Sequence, residues 1–123
     1  MSRLARRPDA MLASEEGTYR LLIHVLLRDR AELEQLRATT VLPLARYDAE
    51  HETDLLTTLQ TFLGHDGSTT ATAEAMRLHR HTVGYRLTRV HEVSGLSPYE
   101  SDGRERLGLG LKAHRILEAD DQG

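Results

Sequence analysis

The chain has no cysteine and no tryptophan, a single phenylalanine and three prolines. Without thiols, disulfides, thiolate metal sites and a cysteine nucleophile are all excluded. Four tyrosines complete the aromatics, and valine and isoleucine together number seven. Residues that favour strands are therefore scarce, which argues against a sheet. The longest apolar run, Leu21 to Leu27, is broken by His24 and falls far short of the ~20 residues of a membrane span. Arg3, Arg6 and Arg7 are followed by no apolar stretch, so no secretory signal is readable. The expectation is a soluble, cytoplasmic protein that makes no use of a membrane.

What is present is leucine and alanine, 21 and 12 of the 123 residues. Both are strong helix formers. A hydrophobic share of 39% is enough for one core, and the length suits one domain. The expected fold is all-α, with six or seven helices.

Charge is segregated along the chain. Residues 1–47 carry a net +2, residues 48–66 carry −5 with no Lys or Arg, residues 67–96 return to +2, and residues 97–123 carry −2. A basic island holding Arg77, Arg80, Arg86 and Arg89 thus lies between acidic blocks on a chain of net charge −3. Such an island can present one positive face to a polyanion, although a solvated helix face would have the same composition.

Residues 1–15 are polar and Arg-rich, contain Pro8 and show no periodicity, and are expected to form a flexible tail. The domain proper is expected over 16–119, with 120–123 a C-terminal tail. A helix is predicted from Thr18 to Leu27, then another capped by Asp29 with Leu33, Leu36, Thr40 and Val41 on one stripe. Pro43 marks a bend or a new helical start. Asp48 is the expected cap of a helix reaching Leu63, stopped by Gly64. A short helix over about Ala71 to Met76 and a longer one from Arg80 to Val93, closed by Ser94 and Gly95, follow. Asp102 with Glu105 forms a D-x-x-E capping box for a last helix to about Ala119.

The informative stretch is 70–93: a short Ala-rich helix, a tight turn at Arg77 to His79, and a longer basic helix. Ala73 and Ala75 are small where two helices must cross closely, and Leu78 can plug the turn into the core. Val83, Leu87 and Val90 recur at spacings of four and three, which at about 100° per residue places them on one inward stripe. His81, Tyr85 and Thr88 then point outward, with Gly84 and Arg89 flanking them. Arg80 and Arg86 lie near the edges of the stripe, where phosphates are in reach. His81 and Thr82, at the start of the second helix, are placed for base edges if that helix enters a major groove. Thr70, Thr72 and His79 complete the candidate DNA-binding set.

The same residues carry a family resemblance. Ala73-Glu74-Ala75-Met76, Leu78-His79-Arg80, Thr82-Val83 and Tyr85-Arg86-Leu87 resemble the C-terminal helix-turn-helix of PucR/CdaR-type bacterial transcription regulators, whose motif is similar to that of the Fis nucleoid protein. The resemblance extends through Thr18 to Leu22, Leu42 to Asp48, Asp54 to Leu59 and Gly95-Leu96, roughly residues 17–118 in all. It implies sequence-specific binding of double-stranded DNA, usually as a homodimer, under an N-terminal effector-sensing region. A chain of 123 residues is expected to lack that region. Departures stand at His81, where such proteins usually have Asn, at Gly84, where they usually have Arg, and at Thr69, where an apolar residue is usual. Gly108 and Gly110 interrupt a last helix that is normally richer in Ala and Leu, at about 1 kcal/mol each relative to Ala.

Two other function classes compete. For an enzyme, His51-Glu52 and His91-Glu92 each lack the second histidine of a zincin motif. His79 and His81 have no third metal ligand nearby in sequence. Gly108-Leu109-Gly110 imitates a dinucleotide fingerprint but follows no strand. The expectation is no catalysis, no metal and no cofactor. A helical protein-interaction or dimerisation module without DNA binding is the alternative, resting on the acidic helix at 48–63 and the Leu-rich one at 18–27.

Overall fold

Asp29 opens the part of the chain that the computed structural model describes, residues 29–122. The expected tail at 1–15 and the helix at Thr18 to Leu27 lie outside those residues. The Asp29 carboxylate accepts from the N–H groups of Ala31 and Glu32 at 3.0 and 3.3 Å, and α1 (Arg30–Thr40) follows. Two donors that no carbonyl inside the helix can reach are thereby satisfied. Val41 alone separates α1 from α2 (Leu42–His51), and Pro43 sits in the first turn of α2, where its missing N–H costs nothing.

The helix expected from Asp48 to Leu63 is in fact two. The chain leaves α2 at Glu52, which adopts a left-handed φ of 53°, and α3 (Leu55–Gly64) begins three residues later. Asp48 does cap α3, but from inside the last turn of α2. Its two carboxylate oxygens accept from the N–H groups of Leu55 and Leu56 at 2.8 and 3.0 Å, and the Thr53 hydroxyl donates to it as well. Asp54, at the N-cap position itself, makes no side-chain cap bond. Spacing along one helix cannot reveal a cap delivered from another.

Past the turn at His65 to Gly67, Ser68 caps α4 (Thr69–Met76) by accepting from Ala71 N–H at 3.0 Å. Then come α5 (Arg80–Ser94), closed by Gly95 at a φ of 78°, and α6 (Ser101–Gln122). Among the described residues there are six helices and no strand, so the fold is all-α. The last helix outruns its expected limits. It begins one residue before Asp102, which therefore lies within the first turn and does not cap it, and it continues through 120–122, which had been expected as tail.

The core has three connected parts. Val41, Leu44, Leu55, Leu59, Val90, Leu107 and Leu111 bring α2, α3, α5 and α6 together. Phe62, Ala73, Val83 and Leu87 join α3, α4 and α5. Leu33, Ala113 and Leu117 join α1 to α6. Val83, Leu87 and Val90 are fully buried, as their spacing predicts, and burial of such side chains contributes about 1.5–3 kcal/mol each. That stripe clamps α5 and leaves its opposite face free.

α1 and α6 run antiparallel. Arg30 pairs with Asp120 and Asp121 at one end, and Thr40 meets Gly110 at the other. A Cβ on Gly110 would lie 1.8 Å from Thr40 Oγ1, so glycine is what lets the helices approach. The buried Thr40 hydroxyl donates to the Leu36 carbonyl at 2.6 Å and needs no partner on α6.

Candidate nucleic-acid interface

Two helices and the turn between them build the site. On α4, Thr72 and Ala73 face the core while Thr70 and Glu74 are exposed. Thr72 is fully buried, and its hydroxyl donates to the Ser68 carbonyl at 2.7 Å. This candidate is thus corrected: Thr72 holds the first turn of α4 together and cannot touch a macromolecule. A β-branched polar residue in an exposed-looking helix gave no sign of that burial.

The turn is fixed by backbone geometry. Arg77 takes a left-handed φ of 58°, its N–H donates to the Glu74 carbonyl at 3.3 Å, and Leu78 N–H donates to the Ala73 carbonyl at 2.9 Å. These bonds satisfy the last carbonyls of α4 and turn the chain. Leu78 is half-buried and packs on the Phe62 cluster. His79 is the N-cap of α5, with its Nδ1 accepting from His81 N–H at 3.0 Å.

Along α5, Arg80, His81, Tyr85 and Thr88 are exposed, and Tyr85 is 63% accessible. His81, Tyr85 and Thr88 recur at the helical spacing and lie opposite the buried stripe, as expected. Thr82, Gly84, Arg86 and Arg89 are half-buried at its flanks. An added Cβ on Gly84 would meet nothing within 4 Å, so no packing inside the chain requires glycine there.

The arginines differ in how they are held. Arg80 and Arg77 are exposed, and their guanidinium groups make no hydrogen bond or ion pair with any described residue. Arg86 reaches back to α3, donating from Nη1 to Thr58 Oγ1 at 3.3 Å. Arg89 is the most engaged. It donates to the Tyr85 hydroxyl at 2.8 Å, pairs with Glu92 at 3.1 Å, and lies 5.5 and 6.0 Å from the ring centres of Tyr85 and Tyr47. The Tyr85 hydrogen bond above all, and then the nearby charges, hold its guanidinium above the ordinary arginine range, so it stays cationic. Tyr47 in turn stacks on His51 at 4.1 Å.

Thr82, Tyr85, Arg86 and Arg89 form one wall of a cleft of about 330 Å³, with Tyr47, Thr53 and the carboxylates of Glu52 and Asp54 on the other side. The structure thus brings together four of the candidates with a tyrosine from α2 that sequence reasoning did not single out. Arg77 was also absent from the candidate set. Its signal was present in the basic island, but a turn residue belongs to neither helix stripe. Among the described residues no three His, Asp or Glu side chains converge as a metal site, and no helix is long and apolar enough to cross a membrane.

This geometry has relatives. Residues 55–113, from α3 to the middle of α6, match the model of the PucR C-terminal helix-turn-helix domain. The chain is 35% identical over 83 residues to an uncharacterized protein in the pkwA 5′ region of Thermomonospora curvata, covering 65% of this chain and 46% of that protein. It is similar in structure to a regulator of polyketide synthase expression from Bifidobacterium adolescentis, with a TM-score of 0.64 and 29% identity, over 76% of this chain and 38% of that one. The chain spans less than half the length of either protein.

Proposed function

From the match of residues 55–113 to the PucR C-terminal helix-turn-helix model, we propose that the chain binds double-stranded DNA sequence-specifically, with α5 in the major groove, as part of a transcription regulator. The observation that carries this reading is the division of α5 into two faces. Val83, Leu87 and Val90 are sealed in the core, while His81, Tyr85 and Thr88 are presented to solvent beside Arg80, whose guanidinium pairs with none of the described residues. A helix with its N-terminal residues free and its back anchored is what a major groove accommodates.

In this reading His81, Thr82, Tyr85 and Thr88 meet base edges, Gly84 leaves a gap beside them, and Arg80 and Arg86 meet phosphates with Thr70 at the margin. Arg89 orients Tyr85 and adds positive charge. Two copies act together in the cytoplasm, on half-sites about one DNA turn, ~34 Å, apart. Selection from a random duplex pool followed by gel shift tests the proposal. Enrichment of a two-fold-symmetric sequence is expected. No enrichment, together with no retention of duplex at low salt, overturns the reading and leaves a protein-interaction module in its place.

A further inference from the structure

The His79 ring has two nitrogens, and the structure occupies one of them. Nδ1 accepts from the backbone N–H of His81 at 3.0 Å. A backbone N–H can only donate, so Nδ1 carries no proton in this arrangement. The proton of the neutral ring must then reside on Nε2. The N-cap hydrogen bond therefore selects the tautomer, and His79, which is exposed, presents its other nitrogen as a donor.

No described residue accepts from that donor: among the described residues the cap is the ring's one polar contact. The neighbouring His81 ring lies 4.6 Å away, tilted by 55°, and limits how the His79 ring can turn. His79 also precedes the helix and falls off the line of His81, Tyr85 and Thr88. It stands instead beside Arg80, at the edge of the exposed face.

We infer that His79 has two functions in one ring: Nδ1 fixes the start of α5, and Nε2–H donates to a phosphate oxygen of the duplex. This inference rests on the proposed DNA reading and deepens it. The contact is made by a neutral group, so it adds affinity without releasing a counterion. Arg80 and His79 thus hold phosphates by different physics, one dependent on salt and the other not.

Two substitutions separate the nitrogens. His79→Asn keeps a short acceptor for the cap and loses the outward reach. His79→Gln keeps a neutral N–H at about the reach of Nε2 and loses the cap. Each is titrated against the selected duplex and an unrelated one over a salt series, well below its melting temperature, which is measured alongside. The Asn variant should melt like wild type and bind both duplexes about five- to tenfold more weakly, the loss of one neutral hydrogen bond. The Gln variant should melt a few degrees lower and bind within about twofold of wild type, with the salt slope unchanged in both. Wild-type affinity in the Asn variant overturns the inference, as does a Gln variant as weak as the Asn one. A loss confined to the selected duplex overturns the phosphate assignment in favour of a base. Failure of the wild-type protein to select any duplex is read on that protein alone and removes the DNA reading itself.

Discussion

The α1–α6 pair and the α4–α5 pair both set two helices side by side, yet they treat charge in opposite ways. On the first pair Arg30 is surrounded by Asp121, Glu34 and Asp120, and the Asp121 hydrogen bond above all, helped by the other two carboxylates, holds its guanidinium above the ordinary arginine range. On the second, the guanidinium groups of Arg77 and Arg80 have no partner among the described residues. Cations matched within the fold brace it, and cations left unmatched are available to another molecule. Arg89 falls between the two, matched by Tyr85 and Glu92 yet placed beside the exposed face. The pairs also differ in how they pack. Both pairs pack apolar side chains, but α1 and α6 in addition come together at Gly110, where a Cβ would overlap Thr40, whereas α4 and α5 meet in the Phe62 cluster.

The comparison breaks most severely if the anchor of α5 is cut. Leu87→Ala removes a fully buried side chain and should cost about 3 kcal/mol, seen as a large fall in the thermal midpoint. A shift of less than about 1 kcal/mol would mean that α5 is not clamped as described. Next is Gly110→Ala. Alanine raises helix propensity by about 1 kcal/mol, but its Cβ overlaps Thr40, and forced overpacking costs about 1–3 kcal/mol. With the overlap this severe, the midpoint should fall, while a rise would show that α1 does not seat on α6 at this point.

Gly84→Ala should do the opposite, adding about 1 kcal/mol because its Cβ meets open space. The same glycine chemistry thus gives opposite signs on the two helix pairs. Gly84→Arg should in addition tighten duplex binding in gel shift, since a bidentate contact to guanine contributes about 1–3 kcal/mol of discrimination. Weaker binding than wild type would mean that DNA itself requires the gap.

The smallest effect distinguishes the arginines of α5. Arg80→Ala should lower the magnitude of the salt slope by about 0.9, whereas Arg89→Ala should lower it by much less, because Glu92 already lies against that guanidinium. By composition alone, Arg80, Arg86 and Arg89 are equivalent cations of one basic island. Equal slopes measured for Arg80→Ala and Arg89→Ala would restore that simpler view.

Much of this was legible from local pattern. The recurrence of Val83, Leu87 and Val90 identified the buried side of α5, and Gly64 and Gly95 stand where their helix boundaries were expected. Three of the errors were of one kind. Thr72 looked like a surface residue, Asp48 looked like the first residue of a helix, and Gly110 looked like a pure cost. Each is explained by a neighbour that is distant in sequence or lies on the far side of its own helix turn.

By itself, then, the sequence determined an all-α chain, the position of its helix-turn-helix and which face of α5 is turned outward. These follow from residue propensities, caps and periodicity, which act over one or two turns of helix. Only the tertiary structure decided that Asp48 caps across a helix break, that α1 can approach α6 at Gly110, and that Arg89 is held among Tyr47, Tyr85 and Glu92 while the Arg80 guanidinium meets none of the described residues. Those outcomes depend on which helices meet and at what level, and no interaction between near neighbours along the chain carries that information.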